Sequence, residues 1–285
     1  MSNKCLVLGA SGMLGHAVML YLGENKDFDV YGIARRRKID QNTTLMDVQR
    51  LEDLDRYLEQ NIFDVVINCI GVLNINAEKQ KDNAVFLNSF LPHYLEYRYS
   101  SSKTRVIHIS TDCVFSGKRG GYCETDFSDG AGFYDRTKAL GEIINDKDLT
   151  FRMSIIGPDP NPDGIGLFNW FMKSHGGIDG YSNVFWTGVT NIELARAIEA
   201  AVYSGLTGLY HLVPDNPISK FELLNLFKTV FCRDSITVRE YDRIRINKSL
   251  VNTRKDFDFK VPGYIDMVSG MKEWIEKYKV LYPHY

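Results

Sequence analysis

The sequence predicts an α/β protein built on a doubly wound parallel sheet, followed by a smaller, mostly helical lobe. Three observations carry that prediction. β-rich runs and helical segments alternate strictly over roughly the first 155 residues, the pattern of repeated strand–helix–strand units. A set of glycines, Gly9, Gly12 and Gly15, separates the first β-rich run from the first helical one. The run "DVVINCIGV" is almost continuously apolar, as a parallel strand is when helices cover both its faces. Past "GPDPNPDGIG" the alternation stops, which divides the chain into lobes 1–156 and 157–285, an approximate boundary across which segments can interleave.

The elements follow in order. "KCLVLGA" is the first strand and ends on glycine, and "SGMLGHAVMLYLGEN" carries apolar residues at helical spacing. "DFDVYGIAR" is the second strand, "TTLMDVQ" a short third, and "RLEDLDRYLEQ" an amphipathic helix. "FDVVINCIGV" is the central fourth strand. "NAVFLNSFLPHYLEYRYS" is helical, but Pro92 lacks an N–H and its ring crowds the preceding turn, so a kink or a late start is expected there. "TRVIHIST" is the next strand. A loop over 111–131, a helix from about Phe133 to Asn145 and the strand "LTFRMSII" follow. The second lobe reads as helices "LFNWFMKS", "NIELARAIEAAVYSG", "KFELLNLFKTVF" and "MVSGMKEWIEKYK" between short strands and loops.

Composition narrows the function classes. The 44% hydrophobic and 25% charged content is that of an ordinary water-soluble globular chain. A formal net charge of -2 gives no basic field for nucleic acid. The longest apolar runs are too short to span a bilayer, and the N-terminus enters the glycine turn directly, so neither membrane insertion nor a signal peptide is expected. The five cysteines form no CxxC pair and have no zinc spacing with histidine; reduced thiols in the cytoplasm and no metal are expected. Glu124 and Asp126 read as solvated acids, and His108, mid-strand, as a core histidine. Oligomeric state is left open.

The glycine set is GxxGxxG in strand–turn–helix context, which permits a tight turn, close approach of a pyrophosphate, and helix–strand packing. The helix N-terminus adds free N–H groups and a positive dipole. A dinucleotide is therefore expected on Gly9, Ser11, Gly12, Met13, Leu14 and Gly15, making the first lobe a Rossmann fold. At the end of the second strand an acid suits the ribose diol of NAD, whereas arginine suits a 2′-phosphate. Arg35 and Arg36 stand there without an acid, so NADPH is expected, with NADH the second choice. Asp47 and Val48 are expected at the adenine, and Cys69, Ile70 and Gly71 complete the cofactor set.

"GFYDRTKALGE" places Tyr134 and Lys138 four residues apart, on one face of a helix. With the glycine turn and "HISTDCVFSG", this resembles the extended short-chain dehydrogenase/reductases, and within them the dTDP-4-dehydrorhamnose reductase group. The resemblance runs along essentially the whole chain, through "AEKQKDNAVFLN", "GYCETD" and "GLYHLV…ISKFELL". It implies hydride transfer from NADPH to the ketone of a 4-keto-6-deoxy nucleotide sugar, for polysaccharide precursors. Tyr134 is then the proton donor and Lys138 favours the phenolate and holds the nicotinamide ribose. Thr111 hydrogen-bonds the carbonyl oxygen. Asn88 is expected to support Lys138 through water.

The chain departs from the group at Cys113, where tyrosine is usual, and at Asp135, where glycine is usual. Thr111-Asp112-Cys113 lacks the acid of the related 4,6-dehydratases, because a thiol cannot replace a carboxylate base. A nucleotide-sugar 4-epimerase and a partner-binding chain similar to the regulatory subunit of methionine adenosyltransferase are the alternatives. Thr111, Asp112, Cys113, Asn169 and Trp186 are expected to line the substrate pocket, the last two because an aromatic and an amide in the second lobe suit a nucleotide base.

Overall fold

Strand β1 (Asn3–Leu8) shows why the sheet is covered on both faces. In a computed structural model describing residues 2–285, Cys5 and Val7 enter one apolar cluster while Leu6 and Leu8 enter another. Side chains alternate along a strand, so a strand with no polar face must lie between two layers. Further along, β2 (Phe28–Ala34), β3 (Thr43–Leu45) and β4 (Val65–Asn68) follow, and β4 splits its valines and isoleucine between the same two clusters. Then come β5 (Arg105–Ile109), β6 (Leu149–Arg152), β7 (Ile155–Ile156), β8 (Gly176–Tyr181), β9 (Val184–Trp186) and β10 (Val189–Thr190). The last are β11 (Gly208–His211), β12 (Ile218–Ser219), β13 (Ile236–Tyr241) and β14 (Ile246–Asn247).

The main sheet runs in the order β11-β6-β5-β4-β1-β2-β3, with every pairing parallel. The chain moves outward from β1 to β3 and then returns to β4 on the other side. That reversal opens a crevice beyond the carboxyl ends of β1 and β4, where ligands bind in such sheets. β11 comes from the second half of the sequence yet extends this sheet beside β6.

Helices α1 (Gly15–Gly23), α2 (Leu51–Gln60), α3 (Asn74–Lys79), α4 (Lys81–Val85), α5 (Leu91–Arg98) and α6 (Phe133–Leu140) belong to the first half. Helices α7 (Leu167–Lys173), α8 (Asn191–Ser204), α9 (Lys220–Val230) and α10 (Tyr264–Lys277) belong to the second. Val18 and Leu22 of α1 pack with Leu194 and Ile198 of α8 on one face of the sheet. Leu54 and Leu58 of α2 pack with Leu91 and Leu95 of α5 on the other. A third cluster gathers Phe168, Phe171, Trp186, Phe227 and Trp274 of the second half with Ala17 of α1, beside small two- and three-stranded sheets.

As expected at Pro92, a new helix starts late: α4 ends at Val85, a π-helical turn over Phe86–Phe90 follows, and α5 begins at Leu91 with Pro92 in its first turn, where its missing N–H costs least. Two differences from the sequence prediction remain. The predicted strand over 149–156 breaks after Arg152, because the Met153 and Ser154 carbonyls accept from Asp112 and Val189, outside the sheet. Helix α6 stops at Leu140 rather than near residue 145. Among the described residues no helix is long and apolar enough to cross a membrane, no cluster of three or more metal-ligating side chains forms, and all five cysteines are unpaired.

Candidate functional site

The glycine turn is built by close contact. Gly9 has φ +80°, and a Cβ at Gly15 would lie 2.1 Å from the Gly9 carbonyl oxygen, so α1 starts against the end of β1 only without side chains there. Among the described residues no side chain caps the N-terminus of α1; the His16 N–H donates to the Gly12 carbonyl (3.1 Å), and the turn presents its backbone at the mouth of the sheet. Leu14 itself is buried in the core, and the Met13 carbonyl accepts from Asn191 (2.7 Å).

Beyond this turn lies a cleft of about 640 Å³. Gly9, Ser11 and Gly12 form its floor, Cys69, Ile70 and Gly71 one side, and Arg35, Arg36, Asp47 and Val48 the far end. A neighbouring hollow of about 470 Å³ shares Arg35 and Asp47 and adds Arg50 and Arg56, two cations that sequence reading missed. The opposite wall, Asp159, Asn161, Asp163, Gly164 and Ile165, was also missed. Its Pro/Asp/Gly-rich stretch signalled only a lobe boundary.

The catalytic candidates meet at the carboxyl end of β5. Thr111 follows that strand, and α6 brings Tyr134 and Lys138; all three are buried. Thr111 Oγ1 accepts from the Cys113 N–H (3.1 Å) and donates to Asp112 Oδ1 (3.2 Å). Lys138 Nζ donates to the Ile109 carbonyl (2.7 Å) and lies 3.2 Å from His108 Nε2. Asp135 accepts from the Gly132 N–H (3.1 Å), so this departure from the reductase group caps α6. Ser89 Oγ donates to the Thr137 carbonyl (2.7 Å) and Asn88 Nδ2 to Thr137 Oγ1 (3.2 Å), docking α6 on the π-helical turn. Asn88 does not reach Lys138 directly: the rest of its amide is bonded to the Val72 backbone.

Burial governs the charges. It lowers Lys138 to about 8, partly offset by Glu142. It raises the Tyr134 phenol, and Cys113 raises it further while Thr111 opposes. Desolvation disfavours each charged form.

A model of the family described as "RmlD substrate binding domain" matches residues 3–156. The chain belongs to that family. A dTDP-4-dehydrorhamnose reductase of Mycobacterium tuberculosis is 24% identical over 233 residues, covering 77% of this chain and 73% of the relative. A probable dTDP-4,6-dihydroxy-2-methyloxan-3-one 4-ketoreductase of Streptomyces antibioticus is 31% identical over 142 residues, 49% of this chain and 45% of the relative. The dTDP-4-dehydrorhamnose reductase of Bacillus anthracis, solved in complex with NADP, superposes with a TM-score of 0.82 at 19% identity, over 96% of this chain and 100% of that one. That likeness shows the fold.

Behind Thr111, the RmlD-family chain carries a buried polar network. Ser110 Oγ donates to Glu142 Oε1 (2.6 Å), and Arg152 grips both oxygens of Glu142 (2.7 and 2.5 Å). Arg152 also donates to His211 Nε2 (3.0 Å), whose Nδ1–H donates to the Val251 carbonyl (2.9 Å). Glu124, read as solvated, accepts from the His211 and Thr253 amides instead.

Asn169 and Trp186 are both buried. Asn169 Nδ2 donates to the carbonyls of Asn161 (3.1 Å) and Gly164 (3.3 Å), holding the far wall of the cleft. Trp186 is 2% exposed, its Nε1 has no partner among the described residues, and Lys220 Nζ sits 4.8 Å from its ring centre. Lys220 faces Asp112 and Cys113, which offset a burial-driven fall to about 8. Asp112, raised by burial, is drawn back by Lys220 and Lys248. This RmlD-family site thus has two lysines from the second half of the chain acting on the residue beside Thr111.

Proposed function

We propose that this chain is an NADPH-dependent reductase of a 4-keto-6-deoxy nucleotide sugar, acting in the synthesis of polysaccharide precursors. The observation that carries the reading is the burial of Thr111, Tyr134 and Lys138 together at the end of β5, beside a glycine-floored cleft that ends in arginines. The curated relatives named as reductases support it.

The residues suit a dinucleotide. Gly9, Ser11, Gly12 and the start of α1, with Met13, Leu14 and Gly15, hold the pyrophosphate, and Arg35 and Arg36 hold the 2′-phosphate. Asp47 and Val48 take the adenine, and Cys69, Ile70 and Gly71 flank the rest. The bound cofactor supplies the hydride. Tyr134 gives its proton to the ketone oxygen as that oxygen gains charge. Lys138, when charged, stabilises the phenolate left behind. Thr111 turns its hydroxyl from Asp112 to the same oxygen and polarises it. Residues 1–156 carry most of the cofactor site, with 159–165 adding its far wall, and 157–285 carry most of the nucleotide-sugar site, with Trp186 and Asn169 from that half and Asp112 and Cys113 from the first on the substrate side.

The test is oxidation of NADPH by the purified chain with a dTDP-linked 4-keto-6-deoxy sugar. Saturable oxidation is expected, with NADH slower, and Tyr134→Phe should lose at least ~10²-fold in kcat while keeping NADPH affinity. Tight NADPH binding without turnover on dTDP- or UDP-linked ketones would replace the reductase reading with a binding subunit. A Tyr134→Phe variant with normal kcat would remove that residue from the chemistry.

A further inference from the structure

His108 sits at the middle of a hydrogen-bonded row that the reductase reading does not use. It is fully buried on β5 between Asn68 at the end of β4 and Lys138 on α6. Asn68 Nδ2 is 3.3 Å from His108 Nδ1, and Lys138 Nζ is 3.2 Å from His108 Nε2. The Asn68 carbonyl oxygen is already engaged, accepting the N–H of Ile70 (3.2 Å) in the cleft wall. That bond decides which end of the Asn68 amide faces the ring: its NH2 group does.

The consequence is a question of proton count. A neutral imidazole carries one N–H and one lone pair. Burial, with Lys138 adding, holds His108 far below its ordinary pKa, so the ring is neutral. With Asn68 donating to Nδ1, the ring's proton must be on Nε2, where it points at Lys138. An ammonium there would oppose a donor to a donor, whereas a neutral amine accepts that N–H and still donates to the Ile109 carbonyl. A charged Lys138 needs the other tautomer, with Nδ1–H against the Asn68 NH2, or a turned Asn68 that sets its NH2 against the Ile70 N–H. Either arrangement costs a buried donor its partner.

We infer that His108 is a positioning residue that sets the charge of Lys138, through a tautomer dictated by the Asn68 amide. The other titratable groups acting on the pair are Glu142, which favours the ammonium, and His93 of α5, whose charge disfavours protonation of His108. Tyr134, one turn before Lys138, completes the set. The functional meaning of the device rests on the proposed role of Lys138 beside Tyr134, but its existence does not, and it is tested without substrate or cofactor.

Two measurements on the full chain decide it. In wild-type protein labelled with 15N-histidine, the His108 ring nitrogens report the tautomer directly, with the resonance assigned by its loss in His108→Gln. The Nε2–H form is expected above the titration point of Lys138. An Nδ1–H ring at every pH would overturn the inference, and this measurement needs no variant to fold. In protein labelled with 13Cε-lysine, Lys138, assigned from Lys138→Arg, should titrate below the free-lysine value near ~10.4. Asn68→Asp presents a carboxylate that accepts Nδ1–H, turns Nε2 into an acceptor, and should raise the Lys138 midpoint by about one pH unit or more. A folded Asn68→Asp protein whose Lys138 midpoint stays within a few tenths of wild type would equally sink it.

Discussion

Glu142→Gln should cost this protein much of its stability. Glu142 and Arg152 are both buried, with side chains 4% and 3% exposed, and their contact is bidentate. Glutamine keeps one acceptor oxygen and, in either orientation, puts an NH2 group against an N–H of the guanidinium. Arg152 cannot release its proton, so its charge stays buried with only the neutral His211 nitrogen and the face of Phe115, 5.0 Å away, for support. Removing one partner of such a pair costs about 3–5 kcal/mol. An unfolding entropy of about 2.1 cal/mol/K per residue gives about 0.6 kcal/mol/K for a chain of 285 residues, so the melting temperature should fall by about 5–8 °C. Urea denaturation measures the free energy and a thermal melt the temperature. Glu142→Leu combined with Arg152→Met removes both charges and should recover most of the loss. A Glu142→Gln protein within about 1 kcal/mol of wild type, with the double variant no better, would refute the argument that this pair is held by mutual neutralisation in a dry site.

Arg35→Ala with Arg36→Ala should lower the preference for NADPH over NADH about 10- to 100-fold, from charge-assisted contacts of about 1.5–3 kcal/mol, as read by the two dissociation constants; unchanged discrimination would return both arginines to solvent. His16 and His211 are buried and held at about 4, below the ordinary histidine value, by desolvation first. Their folded pKa is depressed, so their contribution is complete above about 6.5 and is lost as the pH falls towards about 4. A melting temperature that declines across that window, and declines less in His16→Gln, is expected; a pH-independent Tm there would contradict it. Asn169→Ala should loosen the far wall of the cleft, which it holds through Asn161 and Gly164, and Trp186→Leu should test its substrate role. A higher KM with little loss of Tm makes each a ligand-site residue, and a lower Tm with normal KM makes it packing.

The sequence by itself determined whatever repeats along the chain or acts within a turn or two. Leu6 and Leu8 alternate with Cys5 and Val7, and that alone says a strand is covered on both faces. The glycine turn was legible because Gly9 and Gly15 meet within one loop, and Tyr134 and Lys138 because four residues make one helical turn. What joins distant segments has no period and was decided only by the tertiary structure. The far wall of the cleft, residues 159–165, reaches the glycine turn through α7 and α8 and their amides at Asn169 and Asn191. That Asn88 bonds directly to Val72 and Thr137 was decided by the π-helical turn that carries it, which no pattern in the sequence announces. His108 read as a core histidine. Burial did make it one, but the parallel register of β4 beside β5 also put Asn68 on one of its nitrogens while α6 put Lys138 on the other. Periodicity fixes which face a side chain occupies; which polar group waits there depends on strands and helices that the sequence brings together from far apart, and in a buried site that partner sets the charge.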